Sequence, residues 1–205
     1  ACMPRMINNI CEYYPRTKLI LDLVKKYFKE SRKILILSDR REHLNLMEKY
    51  IHKNIAPNNV GQYVGGMKPN DLRDSQEKDI ILGTFSMASE GMDIPKLNTI
   101  LLVSPKSDIV QSVGRILREK PEQRTHHPLI IDYLDTHPNF TVFQRQYKKR
   151  FAHYNKMKYN ILIHKEDGSI EKHERKKSRR KSKKDKELEI EISFNETEEC
   201  LIDDD

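Results

Sequence analysis

The chain has 205 residues, 34% of them charged, and its formal net charge is +7. This length suffices for one α/β domain, or for one domain and a charged tail. Three cysteines are too few, and odd in number, for a disulfide scaffold, so we expect a reducing compartment. The longest apolar runs, such as 34–37, fall far below the ~18 residues of a membrane span, and no signal peptide is visible.

Charge is distributed unevenly along the chain. Residues 172–186 contain ten Lys or Arg and two acidic residues, whereas 187–205 contain nine acidic residues and no Lys or Arg. The rest of the chain is itself net basic. We expect 172–205 to be a disordered tail, basic and then acidic, although the alternation of apolar residues with Glu at 188–192 also suits a short strand or a partner-binding segment.

Short β-branched runs alternate with helical patterns, which predicts an α/β fold with a doubly wound parallel sheet. The predicted elements, in chain order, are a helix at 17–31, a strand at 33–37, a helix at 42–51, a strand at 60–64, a short helix at 71–76, strands at 79–82 and 98–103, a helix at 108–117 and a strand at 128–133.

The pattern changes after residue 138. Aromatic residues recur every three or four positions, so 139–158 is predicted to be a basic amphipathic helix whose aromatic side chains pack on the domain. The Arg and Lys side chains, Arg150 among them, would then face outward. Asp167-Gly168 predicts a small hairpin directly after this helix. The acid-free stretch 136–165 predicts salt-dependent binding to a nucleic-acid backbone.

Ligands of open α/β sheets meet the loops that leave the carboxyl ends of the strands. The long loop at 83–95 carries Thr84 and Asp93. A Thr hydroxyl suits a backbone phosphate and an Asp suits a ribose hydroxyl, although both residues are also ordinary in turns.

The helix predicted at 108–117 carries Gln111, Arg115 and Arg118 at spacings of four and three residues. This spacing places the three side chains on one helical face. Two guanidinium groups and an amide suit a phosphate chain, since Arg forms forked hydrogen bonds with phosphate oxygens. The alternative is a surface helix with solvated arginines.

The order of these segments resembles superfamily 2 helicases. Thr84 to Pro95 resembles motif V, and Gln111-x-x-Gly114-Arg115-x-x-Arg118 resembles motif VI. The segment 34–39 resembles motif IV, and Gln62 to Met67 resembles the family's "YxGG" segment. The resemblance covers about 17–135 and implies the second, C-terminal RecA-like domain. The motif style resembles the annealing and double-strand-translocating branch, which includes phage UvsW-type and large-DNA-virus transcript-release helicases.

The resemblance implies roles for the nucleotide-facing residues. Arg115 and Arg118 correspond to arginine fingers that reach the γ-phosphate across the domain cleft. Gln111 corresponds to the polar residue of motif VI near the nucleotide. Gly91 and Asp93 correspond to motif V positions that couple nucleotide to nucleic acid.

A second set of residues would face the nucleic acid, which we expect to be DNA or RNA bound without sequence preference. From the resemblance and from the basic helix, this set comprises Ser38, Gly65, Gly66, Thr84, Arg145, Lys148 and Lys149.

The phosphate-binding loop and the acidic Mg²⁺ motif of such enzymes are absent from the chain. We therefore expect ATP and Mg²⁺ to be bound mainly by a missing N-terminal lobe, and the chain alone to be an inactive monomeric fragment. The expected organisation is a linker at 1–16, the RecA-like domain at 17–135, the basic helix and hairpin at 136–171, and the tail. The histidines, His126, His127 and His137 among them, have no Cys or carboxylate at metal-ligand spacing, so we expect no metal site.

The alternative is a non-catalytic nucleic-acid-binding module on a RecA-like shell. Paired arginine fingers favour the motor lobe, because a binding module does not need them. The expected location is the cytoplasm or nucleus, or a virion or viral factory for a viral protein.

Overall fold

The computed structural model describes residues 2–90, 92–94, 96–114, 121–136, 141–165, 167–175 and 189–196. The helices in these ranges are α1 (Met3–Glu12), α2 (Tyr14–Lys29), α3 (Arg41–Asn54), α4 (Pro69–Gln76), α5 (Phe85–Ser89), α6 (Val110–Gly114) and α7 (Thr141–Lys156). The strands are β1 (Ile34–Leu37), β2 (Val60–Tyr63), β3 (Ile80–Gly83), β4 (Thr99–Leu102), β5 (Leu129–Thr136), β6 (Asn160–His164), β7 (Ile170–Lys172) and β8 (Glu189–Glu196).

The strands form one sheet in the order β2-β3-β1-β4-β5-β8-β6-β7. The first five are parallel to one another, which confirms the predicted doubly wound sheet. β7 alone runs antiparallel to its neighbour, β6. The carboxyl ends of β1 to β5 therefore share one edge of the sheet.

Both faces of the central strands are covered. Ile34 and Ile36 of β1 pack with α2 and α3 on one face, and Leu35 and Leu37 pack with α5, α6 and α7 on the other. All four are fully buried. Each contributes roughly 1.5–3 kcal/mol by burial, which explains why this strand is a continuous apolar run without alternation.

The segment 1–16, predicted to be a linker, contains α1 and packs on the body. Ile7 and Ile10 of α1 contact Phe143 of α7. Arg16, at the end of this segment, is buried, and its Nε donates to Asp135 Oδ1 at 2.5 Å. A connection to another lobe through this segment stays a prediction.

Helix α7 matches the predicted amphipathic helix, and Phe143 and Tyr154 are buried as expected. The expected outward orientation is wrong for Arg150, which is 4% exposed. Its Nε and Nη2 donate to the two oxygens of Asp132 on β5, each at 2.8 Å, and Tyr154 donates to the same carboxylate. The reason is positional, because Arg150 lies four residues before Tyr154 on the aromatic face.

Part of the predicted tail is ordered, because residues 189–196 form β8, which matches the short strand that the alternation of apolar residues with Glu left open. This strand lies between β5 and β6 and is parallel to both. Ile190 of β8 is fully buried between Ile130 and Ile161, which pair with it. The predicted hairpin is present as β6 and β7, and its hydrogen bonds to the sheet run through β8. Residues 176–188 and 197–205 of the predicted tail lie outside the described residues.

Candidate nucleotide and nucleic-acid surfaces

The loops after β1 and β4 are joined at the carboxyl edge of the sheet. Lys106 Nζ lies 2.9 Å from Asp39 Oδ2, and Asp39 N donates to Ser104 Oγ at 2.9 Å. Asp39 and Lys106 are each about one-third exposed, so this pair is accessible to a ligand. The pair therefore fixes the loops while leaving a charged surface between them.

Gln111 lies beside this pair. It lines a small cleft of about 190 Å³ together with Phe85, Ser86, Lys106 and Asp108. Gln111 itself is exposed, so its amide is free to turn toward the cleft. The structure thus brings Gln111 next to α5, the helix that follows Thr84. The other motif VI residues, Arg115 and Arg118, lie outside the described residues, as does Gly91.

Asp93 and Thr84 follow β3 at the same edge. Asp93 is exposed, and Thr84 is half-buried just before α5, with its Oγ1 3.2 Å from Ser86 Oγ. Both side chains are therefore placed where a ligand at this edge can reach them.

Ser38 does not lie on an exposed surface, contrary to the expectation. It is fully buried, and its Oγ accepts a hydrogen bond from Arg40 N at 3.1 Å. The same oxygen lies 3.4 Å from His43 Nδ1. A short hydroxyl at the end of a buried strand can bond to its own following backbone, and here that local bond holds the turn into α3.

Gly65 and Gly66 form the turn after β2. Gly66 is exposed and has a φ of +86°, a conformation that a side chain would strain. The carbonyl of Gly65 accepts a hydrogen bond from Arg41 Nη2. The turn is thereby tied to the start of α3.

Arg40 and Arg41 are candidate binding residues that the sequence reasoning missed. They border a cleft of about 490 Å³ between α1 and the start of α3. Arg40 Nε donates to Asn8 Oδ1 at 2.6 Å, which attaches α1 to this loop. Two arginines three and four residues after the end of a buried strand are a signal that the sequence already contained, since ligands of open α/β sheets bind at the carboxyl edge.

His43 lies in the wall of the same cleft and is 4% exposed. Burial, with a smaller contribution from the Arg16 guanidinium, lowers the pKa of His43 to about 3. The imidazole is therefore neutral at physiological pH. His43 therefore adds no positive charge to this surface, whereas Arg40 and Arg41 each carry one.

The three basic residues predicted on the last helix, Arg145, Lys148 and Lys149, are all exposed on α7. They lie on the side opposite the buried Arg150. Their exposure agrees with a role in binding a polyanion.

Two classes of site find no support within the described ranges. No group of three or more His, Cys, Asp or Glu residues there is placed to hold a metal ion. No described helix combines the length and the apolar character needed to cross a membrane.

A comparison with known families matches the helicase conserved C-terminal domain to residues 16–120. The match covers half of the chain and includes β1 to β4 and their loops. The chain therefore belongs to the helicase C-terminal domain family.

Two curated relatives are viral proteins. The first, from Acanthamoeba polyphaga mimivirus, is named as an ATP-dependent RNA helicase, L396, and is 41% identical over 158 residues, which are 77% of this chain and 30% of that protein. The second, uncharacterized protein 108L of Invertebrate iridescent virus 3, is 40% identical over 63 residues, 30% of this chain and 57% of that protein. The chain thus spans about a third of the length of the first relative.

The solved structure of T4 UvsW has the same fold. It matches with a TM-score of 0.59 at 19% identity and covers 76% of this chain and 35% of UvsW. The Hef helicase domain of Pyrococcus furiosus matches at 0.50 and 15% identity, over 65% of this chain and 28% of that one. The RecA-like α/β fold predicted from the motifs is therefore confirmed.

Proposed function

We propose that the chain is the C-terminal motor lobe of an ATP-dependent helicase or translocase that acts on nucleic acid. The observation that supports this most is the placement of Gln111, in a chain of the helicase C-terminal family, beside the Asp39–Lys106 pair at the carboxyl edge. That edge is where open α/β sheets bind nucleotides.

On the nucleotide side, this lobe contributes one wall of a site. The cleft beside Gln111 measures about 190 Å³, below the ~300 Å³ at which small-molecule pockets usually begin. The chain also has no phosphate-binding loop and no acidic Mg²⁺ motif, so a partner lobe holds most of the ATP and Mg²⁺. Arg115 and Arg118, which follow Gln111 on the same helical pattern, act as the cationic groups that stabilise charge on the transferring phosphoryl group. Gly91 and Asp93 couple phosphoryl transfer to the binding of the nucleic-acid strand.

On the nucleic-acid side, the proposed surface combines two regions. The first comprises the loop at Thr84 and the turn at Gly65–Gly66, where Arg41 donates a hydrogen bond to the Gly65 carbonyl. The second is the exposed basic side of α7. Lys and Arg neutralise backbone phosphates without reading bases, so binding is independent of sequence. The name of the mimivirus relative makes RNA the first strand to test.

Binding to single strands is expected to weaken steeply with salt and to depend on α7. Changing Arg145, Lys148 and Lys149 to Gln should reduce the slope of log K against log salt by about 2, because each lost phosphate contact removes about 0.7 on a single strand. Fluorescence anisotropy with labelled oligo(rU) and oligo(dT) measures this slope. The matched control changes Lys18, Lys25 and Lys29, exposed on α2, to Gln. Equal slopes for the two triple variants would contradict the assignment of α7.

The chain alone is expected to show no ATP turnover, with or without nucleic acid, because the phosphate loop and Mg²⁺ carboxylates are supplied by another lobe. A coupled phosphate-release assay on the purified chain tests this. ATP turnover that disappears in Arg115→Ala would show that the chain holds a complete ATPase site. It would contradict the proposal that another lobe binds most of the ATP and Mg²⁺.

A further inference from the structure

The exposed side of α7 is an uncompensated cationic surface. We call Arg145, Lys148, Lys149 and Lys156 the basic face of α7. All four are exposed, and α7 contains no acidic residue. Within the part of the chain that the structure describes, none of the four takes part in an ion pair. An uncompensated cationic face of this kind favours an anionic occupant.

Strand β8 ends at the edge of the sheet from which the chain continues into α7. Glu196, the last residue of β8, pairs with Thr136, the last residue of β5. Because the two strands are parallel, the chain leaves β8 at the edge of the sheet where β5 ends. Helix α7 begins at Thr141, only five residues after Thr136. Glu196, where β8 ends, therefore lies at the edge of the sheet from which the chain leads into α7.

The sequence that follows β8 has the opposite charge to the basic face of α7. We call residues 197–205 the acidic segment. Five of its nine residues are Asp or Glu, and none is Lys or Arg. Nine residues span at most about 30 Å, and the 16 residues of α7 form a helix about 24 Å long. The acidic segment is thus long enough to reach all four members of the basic face.

We propose that the acidic segment docks along the basic face of α7 and competes there with nucleic acid. The docking follows from charge, length and the position of β8. The competition rests on the proposed function, since it requires α7 to contact nucleic acid. Ion pairs between exposed groups are individually weak and are screened by salt, so the contact is reversible. A polyanion that binds more tightly displaces it.

Docking is measured without nucleic acid by a nitroxide on Cys200. In the Cys2→Ser chain, Cys200 is the reactive thiol, because Cys11 is buried and burial raises its pKa to about 11. Amide NMR signals of Lys148 and Lys149 are expected to broaden at low salt and to recover near ~1 M salt. Signals of Lys18 and Lys25 on α2 serve as the control. Absence of broadening on α7 would overturn the docking.

Competition is measured by neutralising the acidic segment while β8 stays intact. The variant E198Q/E199Q/D203N/D204N/D205N is expected to bind oligo(rU) several-fold more tightly at low salt, and the gain should shrink as salt rises. In the chain with the triple Gln change on α7, that gain should disappear. In the chain with the triple Gln change on α2, it should remain.

The two experiments distinguish failure of the docking proposal from failure of the proposed function. If the gain survives the α7 change, the acidic segment acts elsewhere, for example on the basic stretch before β8, and the proposal is wrong. If no variant binds nucleic acid, the proposed function fails, and the nitroxide still decides whether the segment docks.

Discussion

Asp132→Asn is expected to lower the free energy of unfolding by about 3–5 kcal/mol, because it leaves a buried guanidinium without its counter-charge. Arg150 is 4% exposed and donates two hydrogen bonds of 2.8 Å to the Asp132 carboxylate. Burial alone lowers the pKa of Arg150, but Asp132 more than offsets this and holds the pKa above its ordinary value. The guanidinium therefore stays charged, and asparagine cannot neutralise it.

Urea unfolding followed by circular dichroism measures this loss. The matched control is Arg145→Met, which removes an exposed Arg from the same helix and should change stability by less than about 0.5 kcal/mol. The double variant D132N/R150M removes both buried charges, so it should recover much of the loss. A single Asp132→Asn variant as stable as the control would show that the pair contributes little to holding α7 on β5.

The part of the fold that depends on local pattern was predictable. β1 was expected at 33–37 and lies at Ile34–Leu37, because a strand covered on both faces must be a continuous apolar run. Helix α7 was expected from the spacing of its aromatic residues, and Phe143 and Tyr154 are buried as that spacing requires. In both cases the signal lies within one element.

Arg150 and β8 depend on partners far away in the chain. Arg150 has the same charge as its exposed neighbours, and its burial depends on the counter-charge of Asp132, 18 residues earlier, and on the carbonyl groups of Lys106 and Tyr133. The charged composition around Ile190 favours a solvated tail, although its alternation with glutamates also suits a short strand. Its burial comes from pairing with Ile130 and Ile161 on two other strands. The local composition of a segment does not indicate which distant strands it pairs with.

The sequence predicts the location of the candidate site, at the carboxyl edge of the sheet. It is less informative about which side chains are exposed there. Gln111 and Thr84 lie at the carboxyl edge of the sheet, and their roles in binding stay predictions. Ser38 occupies the expected loop, but its hydroxyl is used within the turn into α3. Arg41, two residues after Asp39, is better placed for an anion, since its guanidinium is exposed beside Gly65. The position of a residue in a loop predicts which surface of the sheet it is near. Whether its side chain is exposed on that surface is known only from the structure.

Ile190→Asp is expected to lower the free energy of unfolding by more than about 3 kcal/mol, because it places a charge without a partner at a fully buried position. Ile190 packs in the core that α5, α6 and α7 share with the sheet. The matched control is Ile170→Asp on β7, where the same change occurs at a side chain that is 60% exposed. This control should shift stability by less than about 0.5 kcal/mol.

Amide hydrogen exchange distinguishes a local effect from a global one. β6 is hydrogen-bonded to the rest of the sheet through β8, so losing β8 should leave the β6–β7 hairpin bound only by its packing. In Ile190→Asp, amides of Ile161 and Ile163 should therefore exchange faster than those of Leu35 and Ile36 in β1. Equal protection of β6 in the variant and the parent chain would mean that the hairpin does not depend on β8. The position from which the acidic segment leaves the sheet would then lose its structural basis as well.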